Sequence, residues 1–301
     1  MTQATRVFEG LDADQSAAVR SALEAGLPLA EWRKVPHARF SMKADGVVVT
    51  CYESGKLLVQ GRDPDGFVAH HLAALVAEPT DRAEDALPLT GVTLGSDETG
   101  KGDYFGPLVV AAACVAPAQL DRLRAAGVTD SKKLSDTRAR TLAGLLEAEL
   151  PHEFSVLPPP LDNEAYARAR SVNVLLADMH ARALSRLLAR CPDAEAIVVD
   201  QFGHERLVAD ALARQATGHP PLVQTHRGER HPAVAAASVL ARARFLDDLA
   251  ACSEACGTEL AKGAGAPVDV AAREVVAIGG RALLATVAKL HFRNTDKIPG
   301  G

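Results

Sequence analysis

The sequence predicts two domains: a C-terminal α/β domain with a mixed β-sheet, preceded by a small α+β domain. In residues 1–85, short strand-like runs and turn signals lie between two helical patterns. In residues 86–301, apolar strand-like runs come first and long helical patterns follow. Between them, "EPTDRAEDALPLTG" at 78–91 is polar and acidic and contains two prolines, which is typical of an interdomain linker.

The first domain is predicted to begin with a helix. Asp12 and Gln15 have the spacing of a capping box, and Gly26 is a stop signal for that helix. A strand-rich segment at 38–61 and a second helix at 67–78 follow. The tight turns of the strand-rich segment are predicted at Asp45-Gly46 and Ser54-Gly55.

The second domain is predicted to be strand-rich at first and helical later. Its strands are predicted at 91–98, 106–116, 152–158, 194–202 and 221–226. Its helices are predicted at 118–127, 136–150, 172–191 and 232–250, with two more helices closing the chain. The run at 106–116 is apolar throughout, so we expect it at the centre of the sheet.

Composition and charge exclude several classes of protein. With 301 residues and a formal net charge of −5, the chain can bury a core but is not a general basic nucleic-acid binder. Any polyanion must therefore meet local basic groups or metal ions. The chain start lacks secretory signal features, no apolar run has transmembrane length, and the five scattered cysteines indicate reduced thiols. We therefore expect a cytoplasmic protein.

The segment "GSDETGKGDYFGP" at 95–107 nearly matches the phosphate-binding loop G-x-x-x-x-G-K-[ST] of nucleotide hydrolases. Gly102 stands where that loop needs a hydroxyl to bind Mg²⁺. The carboxylates of Asp97 and Glu98 would repel phosphates, and the apolar run that follows predicts a strand instead of a helix. A nucleotide hydrolase is therefore a disfavoured alternative, which the absence of ATP and GTP binding would exclude.

Carboxylates at the edges of predicted elements form a candidate metal site. Asp97 and Glu98 are hard oxygen ligands suited to Mg²⁺ or Mn²⁺. Because neighbours in a strand point to opposite faces, we expect the strand to end at this pair. Asp200 ends the apolar run "AIVVD", and Glu229 precedes a helix of small residues. A solvated acidic turn and helix caps are the structural alternatives, but four such carboxylates predict a site for two divalent ions.

Five separated motifs point to one family. They are "GSDETGKGDYFGPLVVAA" at 95–112, "VTDSKKLS" at 128–135, "VVDQF" at 198–202, "HPAVAAASVLAR" at 231–242 and "KLHFRNT" at 289–295. In this order they resemble ribonuclease HIII, the bacterial type-2 ribonuclease H with an extra N-terminal domain. "YESGKLLVQG" at 52–61 is similar to a signature of that family's TATA-binding-protein-like (TBP-like) domain, so the resemblance covers nearly the whole chain.

The resemblance implies a ribonuclease H-like catalytic domain at 86–301 and a TBP-like substrate-binding domain at 1–85. It implies an enzyme that cuts the RNA strand of RNA–DNA hybrids by a two-metal-ion mechanism, leaving 5′-phosphate and 3′-hydroxyl ends. It further implies a monomer without an obligate protein partner. A hybrid-binding protein that no longer cuts is the alternative, which a cleavage assay with Mg²⁺ would distinguish.

The resemblance also assigns the carboxylates. Asp97, Glu98 and Asp200 match the family's first three metal-binding acids. Glu229 matches the fourth, although "HRGER" around it departs from the commoner "TKAES"-like form.

The same resemblance places substrate contacts in both domains. In the catalytic domain they are Gly100, Lys101 and Gly102, which match a segment that binds ribose and phosphate, and Lys132 and Lys133, which are expected at phosphates. Residues 1–85 hold 9 Lys and Arg against 13 Asp and Glu, so hybrid binding there needs a local basic strip. We expect this strip to consist of Lys43 and Lys56, together with Arg39 and Arg62.

Overall fold

The structure is a computed structural model that describes residues 4–8, 10–73, 75, 91–128, 131, 134–216, 218–225 and 228–298. The chain forms two compact units, Met1–Ala86 and Leu87–Gly301. Each unit has a five-stranded sheet and its own hydrophobic core. The predicted linker at 78–91 lies outside the described residues, except for Gly91.

In its described residues, unit 1 is an antiparallel sheet in the order β1-β5-β4-β3-β2 with two helices. Its elements are β1 Ala4–Phe8, α1 Ala13–Gly26, β2 Glu31–Arg33, β3 Ala38–Ala44, β4 Val47–Tyr52, β5 Leu57–Gly61 and α2 Pro64–His71. The capping box at the start of α1 is confirmed, because the backbone N–H of Gln15 donates to Asp12 Oδ1 at 2.7 Å and Asp12 N–H donates back to Gln15 Oε1 at 3.0 Å.

Backbone conformation confirms the first predicted turn. Asp45 and Gly46 have φ values of 51° and 75°, the left-handed pair that a two-residue turn requires. The sequence did not predict β1 and β2, which lie at the two edges of the sheet. The second helix begins at Pro64, earlier than the predicted 67–78, and ends at His71. Part of the predicted remainder lies outside the described residues.

Unit 2 has a mixed sheet in the order β10-β9-β6-β7-β8, which confirms the predicted fold class. Strands β10, β9 and β6 run parallel, whereas β7 is antiparallel to both β6 and β8. The strands are β6 Thr93–Thr99, β7 Leu108–Val115, β8 His152–Leu157, β9 Ala196–Asp200 and β10 Leu222–Thr225. The helices are α3 Leu120–Ala126, α4 Asp136–Glu149, α5 Pro159–Ala169, α6 Val172–Arg190, α7 Arg206–Gln215, α8 Pro232–Cys256 and α9 Ala266–Val287.

The run at 106–116 was expected at the centre of the sheet, but the middle strand is β6, and β7 lies between β6 and the edge strand β8. As an internal strand, β7 is buried on both faces, as its unbroken apolar sequence predicts. One face packs in the core that contains α8, and the other in the core that contains α6. Next to β7, strand β6 passes very close to the start of α8. A Cβ added at Gly95 would lie 2.2 Å from the carbonyl carbon of Ala233, so only glycine permits this approach. The approach brings the end of β6 next to α8.

Two helices, α5 and α7, were not predicted. The three prolines at 158–160 look like a loop, but they form the N-cap and first turn of α5, where proline is well tolerated. The two predicted closing helices are confirmed: α9 consists of two helical segments that meet at a kink at non-helical Gly279 and Gly280. Among the described residues, no helix combines the length and apolar character needed to cross a membrane.

Candidate active site

Two neighbouring parallel strands bring the predicted carboxylates together. Strands β6 and β9 pair through Ser96 and Val199, and the residues that follow are Asp97 and Asp200. The sequence predicts that strand β6 ends at the acidic pair, and this prediction is wrong. The strand continues to Thr99 because its pairing with β7 continues. The side chains of Asp97 and Glu98 therefore have to leave the strand on opposite faces.

The contacts of the two side chains show these opposite faces. The neighbouring hydroxyl of Ser238 on α8 acts to lower the pKa of Asp97, and Asp97 Oδ1 accepts from Glu98 N–H at 2.7 Å. Glu98 Oε2 lies 3.4 Å from Nε2 of His180 on α6. The acidic pair therefore connects the sheet to the helix layers on both of its sides.

The electrostatics of Asp97 show how close the carboxylates are. Burial, together with the negative charges of Glu98 and Asp200, raises the pKa of Asp97 to about 7. Asp200 Oδ1 accepts from the backbone N–H of Gly228 at 2.8 Å. Three carboxylates from β6 and β9 thus act on one another at the ends of these strands.

Glu229 lies apart from these three. It belongs to a short 3-10 turn, Gly228–Arg230, directly before α8. Its side chain lines a cavity with Leu120 and Leu123 of α3, and its charge is not among the causes of the Asp97 pKa shift. A Cβ at Gly228 would lie 2.9 Å from Asp200 Cα, so this close approach of the turn to β9 requires glycine at position 228.

Two glycines in the loop after β6, Gly100 and Gly102, have different surroundings. Gly100 has φ +96°, and a Cβ there would lie 2.2 Å from the carbonyl oxygen of Pro107, so the fold itself requires glycine. Gly102 is exposed, and an added Cβ would meet no atom within 4 Å. Lys101 Nζ lies 3.8 Å from Glu98 Oε1 and donates to the carbonyl of Phe202 at 3.2 Å. The cation and the open glycine are therefore next to the carboxylates.

The motif at 289–295 holds the loop after β6 in position through hydrogen bonds. The sequence did not predict this role. The buried ammonium of Lys289 donates to the carbonyls of Gly106 at 2.6 Å and Phe105 at 3.4 Å. Its backbone N–H donates to Tyr104 O at 2.8 Å. Burial lowers the pKa of Lys289 to about 8. Phe292 packs against the core, and His291 stacks on Tyr166 with ring centroids 4.0 Å apart.

The remaining predicted contacts lie elsewhere or outside the described residues. Lys132 and Lys133 are outside them. Ser131 is buried, and its Oγ lies 2.9 Å from the Oγ of Ser238, the serine that contacts Asp97. Lys43 and Lys56 are exposed residues of unit 1.

The donor set fits a divalent cation. Carboxylate oxygens are the ligands that Mg²⁺ and Mn²⁺ prefer. Glu98 Oε2 is buried without a hydrogen bond among the described residues. Among those residues, no three His, Cys, Asp or Glu side chains stand close enough to share one ion. The like charges repel, and each carboxylate has different neighbours: Ser238 next to Asp97, His180 and Lys101 within 4 Å of Glu98, and the backbone N–H of Gly228, which donates to Asp200.

Comparisons with known proteins identify the relatives of this chain. The ribonuclease HII family matches residues 94–295, and a domain of unknown function matches residues 27–82. Ribonuclease HIII of Exiguobacterium sibiricum is 37% identical over 268 residues, covering 87% of each chain. Ribonuclease HIII of Geobacillus sp. strain WCH70 is 37% identical over 272 residues, covering 86% of this chain and 87% of its own. The crystal structure of Bst-RNase HIII in complex with Mn²⁺ has a TM-score of 0.68 and 34% identity, covering 98% of this chain and 97% of its own.

Fold, carboxylates and family match together define a type-2 ribonuclease H, a metal-dependent endoribonuclease that uses Mg²⁺ or Mn²⁺. Enzymes of this class cut the RNA strand of RNA–DNA hybrids. The chain belongs to the ribonuclease HIII family. The antiparallel sheet and helices of unit 1 fit the expected TBP-like domain.

Proposed function

We propose that the enzyme hydrolyses the RNA strand of hybrids by a two-metal-ion mechanism, with Asp97, Glu98, Asp200 and Glu229 as the metal-binding carboxylates. The observation that best supports this proposal is the strand register: Asp97 and Asp200 directly follow the Ser96–Val199 pair of two adjacent parallel strands. Glu229 follows Gly228, whose N–H binds Asp200, so its backbone lies next to the same site. In this proposal Glu229 joins the other three carboxylates when metal ions are bound.

When bound, the divalent ions supply Lewis acidity and lower the pKa of a water molecule. The residues of the chain hold and orient the reactants. The oxygen of the attacking water stays on the phosphate, and the bond from phosphorus to the 3′ oxygen breaks. The products are therefore 5′-phosphate and 3′-hydroxyl ends. Lys101, next to Glu98, is placed to meet the phosphate charge.

Selection of RNA requires contact with the 2′-hydroxyl, which both donates and accepts hydrogen bonds. The backbone at Gly102 is open to such an approach, because no part of the described protein fills the space around it. Gly100 maintains the loop conformation that presents this backbone. A site that hydrogen-bonds a hydroxyl rejects a substrate without it by a large factor. We assign Gly100, Lys101 and Gly102 to this recognition, and Lys132 and Lys133 to phosphates.

Unit 1 is the second hybrid-binding surface in this proposal. Its helices share a core with Met42, Val49 and Val59, one face of the sheet. By strand alternation Lys43 lies on the opposite face, and Lys56 directly precedes β5. Both are exposed. Arg39, by contrast, is tied to α1 through bonds to Asp12 O and Ser16 Oγ, so its cation is largely used inside unit 1.

The decisive experiment compares three substrates with and without Mg²⁺ or Mn²⁺: an RNA–DNA hybrid, a duplex RNA and a DNA with one ribonucleotide. We expect metal-dependent cleavage of the hybrid with 5′-phosphate ends, and no cleavage of duplex RNA. Products with 3′-phosphate ends would contradict the mechanism. The same assay reports on single ribonucleotides, and light scattering tests the monomeric state that we infer.

The change Asp200→Asn tests the carboxylate assignment. Asn keeps the size and can still accept from Gly228 N–H, but it removes a negative ligand. We expect hybrid binding to persist in the absence of metal, and cleavage to fall by at least about 10²-fold. Asp210→Asn on α7 is the matched control and should cut normally. Cleavage by Asp200→Asn at near the wild-type rate would remove Asp200 from the mechanism.

A further inference from the structure

One buried histidine links the acidic pair to the helix layer behind it. His180 lies in the middle of α6 and is fully buried. Its Nδ1 is 2.8 Å from Ser96 Oγ, and its Nε2 is 3.4 Å from Glu98 Oε2. The ring also stacks on Phe202, with centroids 4.9 Å apart and planes at 17°. Three groups from β6 and the end of β9 therefore surround one imidazole.

The position is otherwise an apolar core position. Leu176 and Leu184, one turn before and after His180 on α6, are fully buried in the same core. An imidazole there costs desolvation of both nitrogens, which a leucine would avoid. Ser96 satisfies Nδ1, whereas Nε2 and Glu98 Oε2 have no hydrogen-bond partner among the described residues. Nε2 lies 3.4 Å from an oxygen of the Glu98 carboxylate.

The two oxygens of Glu98 face different partners. Oε2 lies on the side of His180, which is fully buried, and Oε1 lies 3.8 Å from Lys101 Nζ, whose side chain is 35% exposed. Lys101 is partly exposed on the loop after β6, while His180 is fully buried inside a long helix. The histidine is therefore the more enclosed of the two contacts of this carboxylate.

We propose that His180 is a positioning residue for the metal site, holding Glu98 from behind through Nε2–H while Ser96 sets the tautomer. A Ser96 hydroxyl that donates to Nδ1 leaves the ring proton on Nε2, directed at Glu98. The Phe202 stack fixes the plane of the ring. The inference rests on the proposed function, because it assumes that Glu98 is a metal ligand. Partners behind ligands commonly affect metal affinity by about 10–100-fold.

Two substitutions of similar size separate positioning from packing. His180→Gln can place an amide N–H near the position of Nε2, whereas His180→Asn reaches only the position of Nδ1 next to Ser96. Mn²⁺ binding to the full chain, without substrate, is measured by calorimetry. We expect Asn to weaken Mn²⁺ affinity by about tenfold or more and Gln by less than about threefold. Hybrid affinity in EDTA should equal that of the wild type for both.

Equal Mn²⁺ affinity of the Asn and Gln variants would overturn the proposal, because packing alone would then explain His180. Thermal unfolding in EDTA verifies that each variant is folded. If neither folds, Ser96→Ala replaces them: it removes one hydroxyl and should weaken Mn²⁺ binding more than twofold, and unchanged affinity would overturn the role of the histidine.

Glu98→Gln distinguishes failure of this inference from failure of the proposed function. If Glu98→Gln binds Mn²⁺ as tightly as the wild type, Glu98 is not a ligand, and both proposals are overturned. If Glu98→Gln loses affinity while both His180 variants keep it, only the positioning role is overturned.

Discussion

At the scale of single residues, glycine is needed at positions 100 and 102 of the loop after β6 for different physical reasons. Gly100 cannot carry a side chain, because its φ is +96° and Pro107 O lies 2.2 Å from the added Cβ. Gly102 has no such internal constraint. Its lack of a side chain is explained by the substrate that we propose for this backbone.

This difference predicts the effect of Gly102→Ala. We expect unchanged thermal stability but a loss of about tenfold or more in kcat/KM for hybrid, because one methyl blocks close approach to the backbone. The control is Gly144→Ala, on a helix and with no atom within 4 Å of its added Cβ. It should cut normally and be more stable by about 0.5–1 kcal/mol. Normal cleavage by Gly102→Ala would contradict the assignment.

A second prediction concerns Asp97, whose pKa burial and the neighbouring charges raise from 3.8 to about 7. A raised pKa means that folding favours the protonated acid. The stabilisation is complete below pH 3.8 and is lost as the pH rises to 7. In EDTA, Asp97→Asn should therefore be more stable than the wild type, with a difference that grows between pH 4 and 7 and reaches about 1–4 kcal/mol. Urea unfolding at several pH values measures it, and a pH-independent difference would contradict the prediction.

At the scale of elements, α5 and the C-terminal segment cooperate to support the substrate loop. Asn163 on α5 donates to the carbonyls of Ala285 and Ala288, at 3.3 and 3.0 Å, and its Oδ1 accepts from Leu290 N–H at 2.8 Å. Lys289, which directly precedes Leu290, donates to the carbonyls of Phe105 and Gly106 in the loop after β6. The position of the loop therefore depends on a helix that the sequence did not predict.

Asn163→Ala tests this support. It removes three hydrogen bonds, so we expect a loss of about 2–4 kcal/mol in the free energy of unfolding. Hybrid cleavage should also fall, because the loop loses its fixed position. The neighbouring exposed Glu164 is the matched control, and Glu164→Ala should change stability by less than about 0.5 kcal/mol. Equal stability of the two variants in urea would show that α5 does not support the segment.

At the scale of the whole molecule, a net charge of −5 requires hybrid binding through local basic groups. Charge reversal at Lys43 and Lys56 tests unit 1. We expect weaker hybrid affinity and a salt dependence whose slope falls by about 1–2, because up to two phosphate contacts disappear. Arg182 and Arg186, exposed on α6, provide a control with the same change in net charge. If both double variants weaken binding equally, the effect is general repulsion and Lys43 and Lys56 are not contacts.

Much of this architecture could be predicted from the sequence, for local reasons. Apolar runs such as 108–115 and the capping residues Asp12 and Ser135 depend on neighbours within a few positions. Edge strand β1 could not be found in this way, because Phe8 pairs with Leu57 from far along the chain. The predicted end of β6 at the acidic pair was wrong, because pairing with β7 extends the strand to Thr99.

The sequence by itself determined most strands, most helices and the acids near strand ends, because periodicity, caps and hard oxygen ligands are properties of short segments. Only the tertiary structure decided what surrounds those acids. His180 is far from Glu98 in sequence and next to it in space, and Lys289 meets Gly106 in the same way. Such contacts depend on how helices pack on the sheet, which no local pattern specifies.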